Sequence, residues 1–279
     1  MNMANLLTLA AAVPSKSVQA TGWFLETAWL IPALPALSFF LILFFGKKMK
    51  YKGAEFGITA IALSLILAIC CVGQWMNQVD NASDNYKKNT PYETEEKYSE
   101  TSSQVLEENV SAEPIEVASA EQMNIYAAGE ESGYEAVAVD AVIERFTWWE
   151  TGGKKFQVGI MVDGLAVMML FVVTVISLLV HIYSTDYVSG DRRYTHYFAF
   201  LSLFSASMLF FVLSENILQT IVGWELVGVC SFALIGHWWE EKPNSDAALK
   251  AFLTNRVGDM GLLVGMIILF WSAGSWSIV

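Results

Sequence analysis

Five ionisable side chains sit in or beside strongly apolar runs: Glu225, Arg256 and Asp259 well inside, Lys250 and His181 nearer the ends. A charge at the centre of a membrane helix costs at least about 2.5–3.5 kcal/mol unless it is paired or hydrated. Such residues therefore point either to a pathway for protons or ions or to polar glue between helices, and the residues alone allow both. Glu225 lies nine residues into the run 216–236, roughly 13–14 Å deep at about 1.5 Å per residue. Its own run holds no cation, so its carboxylate must find a partner on another helix or hold a proton. Arg256 and Asp259 are three positions apart, hence on one helical face and able to pair. For a helix starting at Ala251 they lie roughly 7–8 Å and about 12 Å from the inner end, with Glu225 about 16 Å from the same side. Similar depths on consecutive antiparallel helices read as a polar pathway, with polar glue between the two helices as the alternative. Asn255 and Thr254 are placed to hold water beside Arg256. Lys250 reads as an entrance residue or as a lysine snorkelling to the surface. His181 reads as a proton relay or a satisfied interface residue.

These side chains need membrane helices to position them. Six stretches offer the about 20 apolar residues that a hydrocarbon core requires: 23–45, 54–75, 164–184, 194–213, 216–236 and 251–273. Pro32 and Pro35 predict a kink in the first, tolerable where neighbouring helices satisfy the freed carbonyls. Lys47, Lys48, Lys50, Lys52, Arg192, Arg193, Lys242 and Lys250 all fall in loops on one side, which the positive-inside tendency makes cytoplasmic. The fold class is thus an all-α integral membrane protein, a polytopic bundle of about six transmembrane helices, with an extramembrane acidic loop and a β-hairpin. Residues 1–22 form an apolar lead-in whose Leu6–Ala12 stretch and Val18-Gln19-Ala20 ending resemble a signal peptide without its basic start. Cleavage and retention at the outer surface both fit. Transmembrane helices 1–2 occupy 23–75, an acidic mobile insertion 76–141, and transmembrane helices 3–6 with their charges 163–279. Within 142–162, Phe146, Trp148 and Trp149, the Gly152–Gly153 pair and the alternating Phe156, Val158 and Ile160 predict a hairpin at the outer surface. Its apolar face fits the membrane surface, by interfacial tryptophans, or a neighbouring subunit.

Composition narrows the function. Of 279 residues 54% are hydrophobic and 16% charged, and 17 of the 28 Asp/Glu lie between residues 76 and 155. The formal charge of -12 therefore belongs almost wholly to the insertion, and the rest is near neutral and apolar. A soluble single domain is excluded, and with no basic patch larger than 47–52 a nucleic-acid partner is too. Cys70, Cys71 and Cys230 lie in apolar runs without CxxC spacing, and read as small core residues. With three histidines, no metal site, redox centre or bound cofactor is expected in this chain.

The strings Gly223-Trp224-Glu225-Leu226-Val227-Gly228, Ser231 to Gly236, Ala248-Leu249-Lys250-Ala251-Phe252 and Asn255-Arg256-Val257-Gly258-Asp259, in that order, carry a family resemblance. With Val162-Asp163-Gly164-Leu165 and His181-Ile182-Tyr183-Ser184, they resemble the N-terminal part of antiporter-like subunit L (chain 5) of the proton-pumping NADH:quinone oxidoreductase, respiratory complex I. The resemblance takes in most of 23–75 and 142–273. It implies a half-channel in which a helix-borne glutamate, here Glu225, modulates a lysine on a later helix that would follow Val279. Arg256 and Asp259 would tune or relay that charge. It also implies membrane-arm neighbours in a bacterial inner membrane or another coupling membrane, with NADH, FMN, iron–sulfur clusters and quinone held by partner subunits. A cation/proton antiporter subunit, or one of an ion-coupled bicarbonate transport system, would share these helices and charges. A non-transporting assembly fragment is a third reading. The acidic insertion is longer than the family leads one to expect.

Overall fold

Long apolar runs with helix-compatible residues become helices whose outward faces stay apolar, because lipid rather than water surrounds them. The computed structural model describes residues 18–19, 21–49, 51–89, 139–151, 154–273 and 276. Most of the lead-in 1–22, most of the insertion 76–141 and the Gly152–Gly153 turn lie outside the described residues. The elements in order are β1 (Val18–Gln19), α1 (Trp23–Glu26), α2 (Leu30–Phe45), α3 (Ala54–Asn89), β2 (Val139–Asp140), β3 (Val142–Thr151), β4 (Lys154–Val162), α4 (Gly164–Tyr187), α5 (Tyr194–Val212), α6 (Ile217–Ile235) and α7 (Lys242–Ala273). Six of these helices are long and apolar enough to cross a membrane. The fold class expected from the sequence is the observed one.

Internal contacts divide the chain into two units, Met1–Gln19 with Asn77–Asp140, and Ala20–Met76 with Ala141–Val279. In the first, β1 pairs parallel with β2. In the second, α2 packs on α5, α4 on α5, α5 on α6 and α6 on α7. Leu63, Ile176, Leu179, Val257 and Ile268 are exposed while Ser38, Ser64, Thr174, Ser202 and Ser205 are buried. That is the polarity of a bundle in lipid, with small polar residues at helix interfaces.

Three expected boundaries need correction. The span 23–45 is not one kinked helix: residues 27–29 form a turn between α1 and α2. Pro32 then falls in the first turn of α2, where its missing N–H costs nothing. Pro35 lies inside α2 and cannot donate to the Ile31 carbonyl four residues back. The buried Ser64 hydroxyl of α3 donates to that carbonyl instead, at 2.9 Å. Second, α3 does not end at 75 but runs to Asn89, about 54 Å in all and well beyond a hydrocarbon core. Third, the last helix starts at Lys242 rather than Ala251, with Pro243 in its first turn, a favoured place for proline.

The hairpin forms as expected, β3 antiparallel to β4 from Val142↔Val162, with a register shift between Thr147 and Trp149. Phe146, Trp148 and Trp149 are exposed. The hairpin is tied to the turn between α5 and α6. Arg145 Nε lies 2.7 Å from Glu215 Oε1, Asn216 donates to the Gln157 carbonyl at 2.8 Å, and the Gly159 N–H donates to Gln219 at 3.1 Å.

Candidate functional site

The antiparallel pair α6 and α7 brings Glu225, Arg256 and Asp259 together. Glu225 is the ninth residue of α6, about 12 Å from one end of the helix and about 15 Å from the other. Its carboxylate and the Arg256 guanidinium form an ion pair across the two helices. Arg256 Nη1 is also 3.3 Å from Asp259 Oδ2 on its own helix, the pairing expected at i,i+3 spacing. Arg256 Nη2 donates to the Glu225 backbone carbonyl at 3.4 Å, and the guanidinium carbon stands 4.6 Å from the centre of the Phe252 ring. Asp259, 7% exposed, accepts a 2.8 Å hydrogen bond on Oδ1 from the Trp224 indole N–H.

Glycines make this proximity possible. A β-carbon on Gly228 would lie 2.6 Å from Arg256 Nη2 and would push the guanidinium from its place, and one on Gly223 would lie 2.9 Å from the Phe211 Cα on α5. With both carboxylates ionised, the cluster carries one guanidinium against two carboxylates, a net charge of -1. One proton neutralises it. In a low-dielectric setting a single unbalanced charge interacts strongly with charges elsewhere, which is what a proton-carrying site requires.

Lys250 is not part of the cluster. It is exposed and six residues before Arg256, about 240° around the helix. Thr254 donates its hydroxyl to the Lys250 carbonyl at 2.8 Å and, like Asn255, is exposed. His181 belongs to a different place. It is fully buried on α4, with Nδ1 2.8 Å from the Ser177 carbonyl and Nε2 3.4 Å from the Ser202 hydroxyl of α5. Gly57 of α3 leaves room for its ring.

The basic loops meet at one end of the bundle, as the positive-inside reading requires. Arg193 grips Glu240 with two hydrogen bonds of 2.9 and 2.5 Å, and Lys52 Nζ lies 5.9 Å from the centre of the Tyr194 ring. Asp191 accepts from the Arg193 backbone N–H at 2.6 Å and the Trp238 indole at 2.7 Å, and its Oδ2 is 3.4 Å from His237 Nε2. The Arg193 N–H chiefly, with Trp238 and His237, holds the Asp191 carboxyl below the usual carboxylate range. Burial lowers the His237 imidazole below its ordinary value, against the pull of Asp191.

Sequence reasoning found the three charges but missed Trp224 and Phe252 as their partners. The signal lay in the strings themselves, since Trp224 adjoins Glu225 and Phe252 precedes Arg256 by one turn, but the cross-helix register that joins Trp224 to Asp259 is a tertiary fact.

Residues 148–198 match the family model described as NADH-ubiquinone oxidoreductase (complex I), chain 5 N-terminus, and residues 214–279 the model described as NADH:quinone oxidoreductase/Mrp antiporter, TM. The chain is 46% identical over 129 residues to NAD(P)H-quinone oxidoreductase chain 5 of Synechocystis sp., 46% of this chain and 19% of that one. It is 49% identical over 131 residues to the chloroplast subunit 5 of Mesostigma viride, 47% of this chain and 20% of that one. The chain thus spans about a fifth of the length of the curated relatives it matches. Its fold is similar, at TM-score 0.57 and 14% identity, to a chain of the archaeal membrane-bound sulfane sulfur reductase, over 90% of this chain and 38% of that one. The resemblance to the N-terminal part of chain 5 is borne out.

Proposed function

We propose, with the likeness to chain 5 as premise, that this chain is the N-terminal part of a proton-translocating membrane-arm subunit of NADH:quinone oxidoreductase. The observation that carries the proposal is the Glu225–Arg256–Asp259 cluster, two carboxylates sharing one guanidinium inside the membrane-spanning bundle. Glu225 takes up and releases the proton that neutralises the cluster. Asp259, anchored by Trp224, keeps Arg256 in reach of Glu225. A change of charge elsewhere in the arm shifts the proton affinity of Glu225, or of a lysine on a later helix, through Coulomb coupling strengthened by the low dielectric. The chain's partners are the other membrane-arm subunits and the lipid bilayer, in a bacterial inner membrane or another energy-coupling membrane. NADH, FMN, iron–sulfur clusters and quinone belong to partner subunits, and the chain itself contributes proton movement to the enzyme rather than electron transfer.

A second reading, a cation/proton antiporter subunit, is favoured by one observation: the model matching residues 214–279 is shared with the Mrp antiporter. Both readings are tested by gently solubilising the host membrane, separating intact complexes and locating peptides of this chain by mass spectrometry. Migration with NADH:quinone reductase activity supports the first. Migration in a complex without that activity, whose vesicles exchange sodium for protons, overturns it in favour of the second.

A further inference from the structure

The described residues hold a second buried polar network, between α4 and α5, that the Glu225 cluster does not use. On α4 the residues Thr174, Ser177, His181 and Ser184 recur at spacings of three, four and three, which places them on one face; Thr174, His181 and Ser184 are all below 1% exposed. On α5, Ser202 and Ser205 are also buried and face them. Ser177 and Ser205 share a short hydrogen bond between their hydroxyls, and the Ser177 hydroxyl is 3.5 Å from His181 Nδ1. The two imidazole nitrogens thus meet oxygens of both helices. Towards the basic end, the Ser184 hydroxyl lies 3.2 Å from the Tyr197 hydroxyl. The Tyr197 ring packs edge-on against the His237 ring at 5.2 Å, and His237 Nε2 is 3.4 Å from Asp191.

Hydroxyls that merely satisfy themselves bond back to a carbonyl on their own helix, as Thr174 does to Leu170; Ser205 also donates to the Leu201 carbonyl at 3.0 Å, which leaves its oxygen to accept from Ser177 as the inner end of the series. Ser177, Ser184 and Ser202 behave differently, each meeting a titratable or hydroxyl group that can both give and take a proton. Serine and tyrosine hydroxyls pass a proton on by accepting one and donating another, and histidine does so by exchanging tautomers. Such a series, with His181, Ser184, Ser205 and His237 buried and Ser177 and Tyr197 half-buried between them, has the chemistry of a proton conductor.

We propose that Asp191, His237, Tyr197, Ser184, His181, Ser177 and Ser205 form a proton-loading relay from the basic surface into the membrane interior. Asp191 and His237 are its mouth. The steps from His237 to the Tyr197 hydroxyl and from Ser184 to His181 each require a bridging water, a link that costs little elsewhere. The proton count is conserved at each step, one entering and one leaving every group. The inference rests on the proton-translocation reading above and deepens it by naming the entry.

The test uses the full-length subunit assembled in its native complex, in closed vesicles of the host membrane, with protons moved per NADH oxidised as the readout. Tyr197→Phe and Ser177→Ala each remove one hydroxyl and little volume. The relay predicts that each lowers pumping about tenfold or more, as loss of a positioned proton-transfer group does, with the amount of assembled complex unchanged. His181→Ala is predicted to lose pumping and to regain it when imidazole is added, a recovery that loss of packing would not give. Wild-type pumping in all three variants, beside its loss in Glu225→Gln, overturns the relay and leaves the function standing. Wild-type pumping in Glu225→Gln as well overturns the function itself. A loss that follows complex assembly and that imidazole does not restore assigns the network to packing and overturns the relay.

Discussion

Removing the Ser64 hydroxyl tests how a proline is accommodated in a membrane helix. Pro35 supplies no N–H for the Ile31 carbonyl, and Ser64 donates to that carbonyl at 2.9 Å from a fully buried position. Ser64→Ala leaves a buried acceptor without this donor, a loss of about 1–3 kcal/mol in protein interiors. Measured interhelical hydrogen bonds in membranes average about 0.6 kcal/mol and reach about 1.7, so the expected destabilisation is about 1 kcal/mol. Pro35→Ala restores an N–H four residues from Ile31 and makes the serine redundant. In the Ser64→Ala/Pro35→Ala pair the serine substitution therefore costs almost nothing, a coupling of about 1 kcal/mol. The assay is unfolding of the full-length protein in mixed micelles by SDS titration, read by circular dichroism, for the four proteins of the cycle. Strictly additive free energies would refute the proposal that Ser64 stands in for the missing N–H.

Gly228→Ala places a methyl group 2.6 Å from Arg256 Nη2, so the guanidinium must shift from the position in which it donates to the Glu225 carbonyl. Pumping falls in this variant while the complex still assembles, and Gly258→Ala, where a β-carbon meets open space, pumps as the wild type does. Arg145→Met takes the guanidinium away from Glu215, which is 2% exposed; because the arginine is itself over a third exposed, the cost is about 1–2 kcal/mol rather than that of a fully buried pair, measurable in the same SDS titration. Acid weakens the loop end in two stages. His237, lowered by burial, protonates first in the unfolded chain, so stability declines as pH falls below about 6.5. Asp191, held low by its donors, contributes stability above its unfolded value near about 3.9, lost as pH falls through its lower folded value. Thermal midpoints of the solubilised complex against pH record both stages, and Asp191→Asn removes the second.

The sequence made the membrane helices and the three charges legible because both signals are local. Hydropathy marks a span wherever it occurs, and Arg256 and Asp259 share a face by spacing alone. The break at 27–29, Thr27-Ala28-Trp29 after Glu26, is too short to interrupt an apolar run averaged over the length of a span. The early start of α7 was hidden by Asn244, Ser245 and Asp246, polar residues in the turns before the apolar run, although Pro243 was a usable sign. The α3 extension past Met76 was hidden in the same way. The pairing of Trp224 with Asp259 and of Ser64 with Ile31 depends on how helices pack side by side, which no single run of residues encodes.

The central claim is that Glu225 carries a proton within the cluster it forms with Arg256 and Asp259. Glu225→Gln keeps the shape and removes the titratable group. The account predicts that, in vesicles holding the assembled complex, NADH-driven proton uptake collapses in Glu225→Gln and is largely kept in Glu225→Asp. Full pumping in Glu225→Gln, at normal levels of assembled complex, would contradict it.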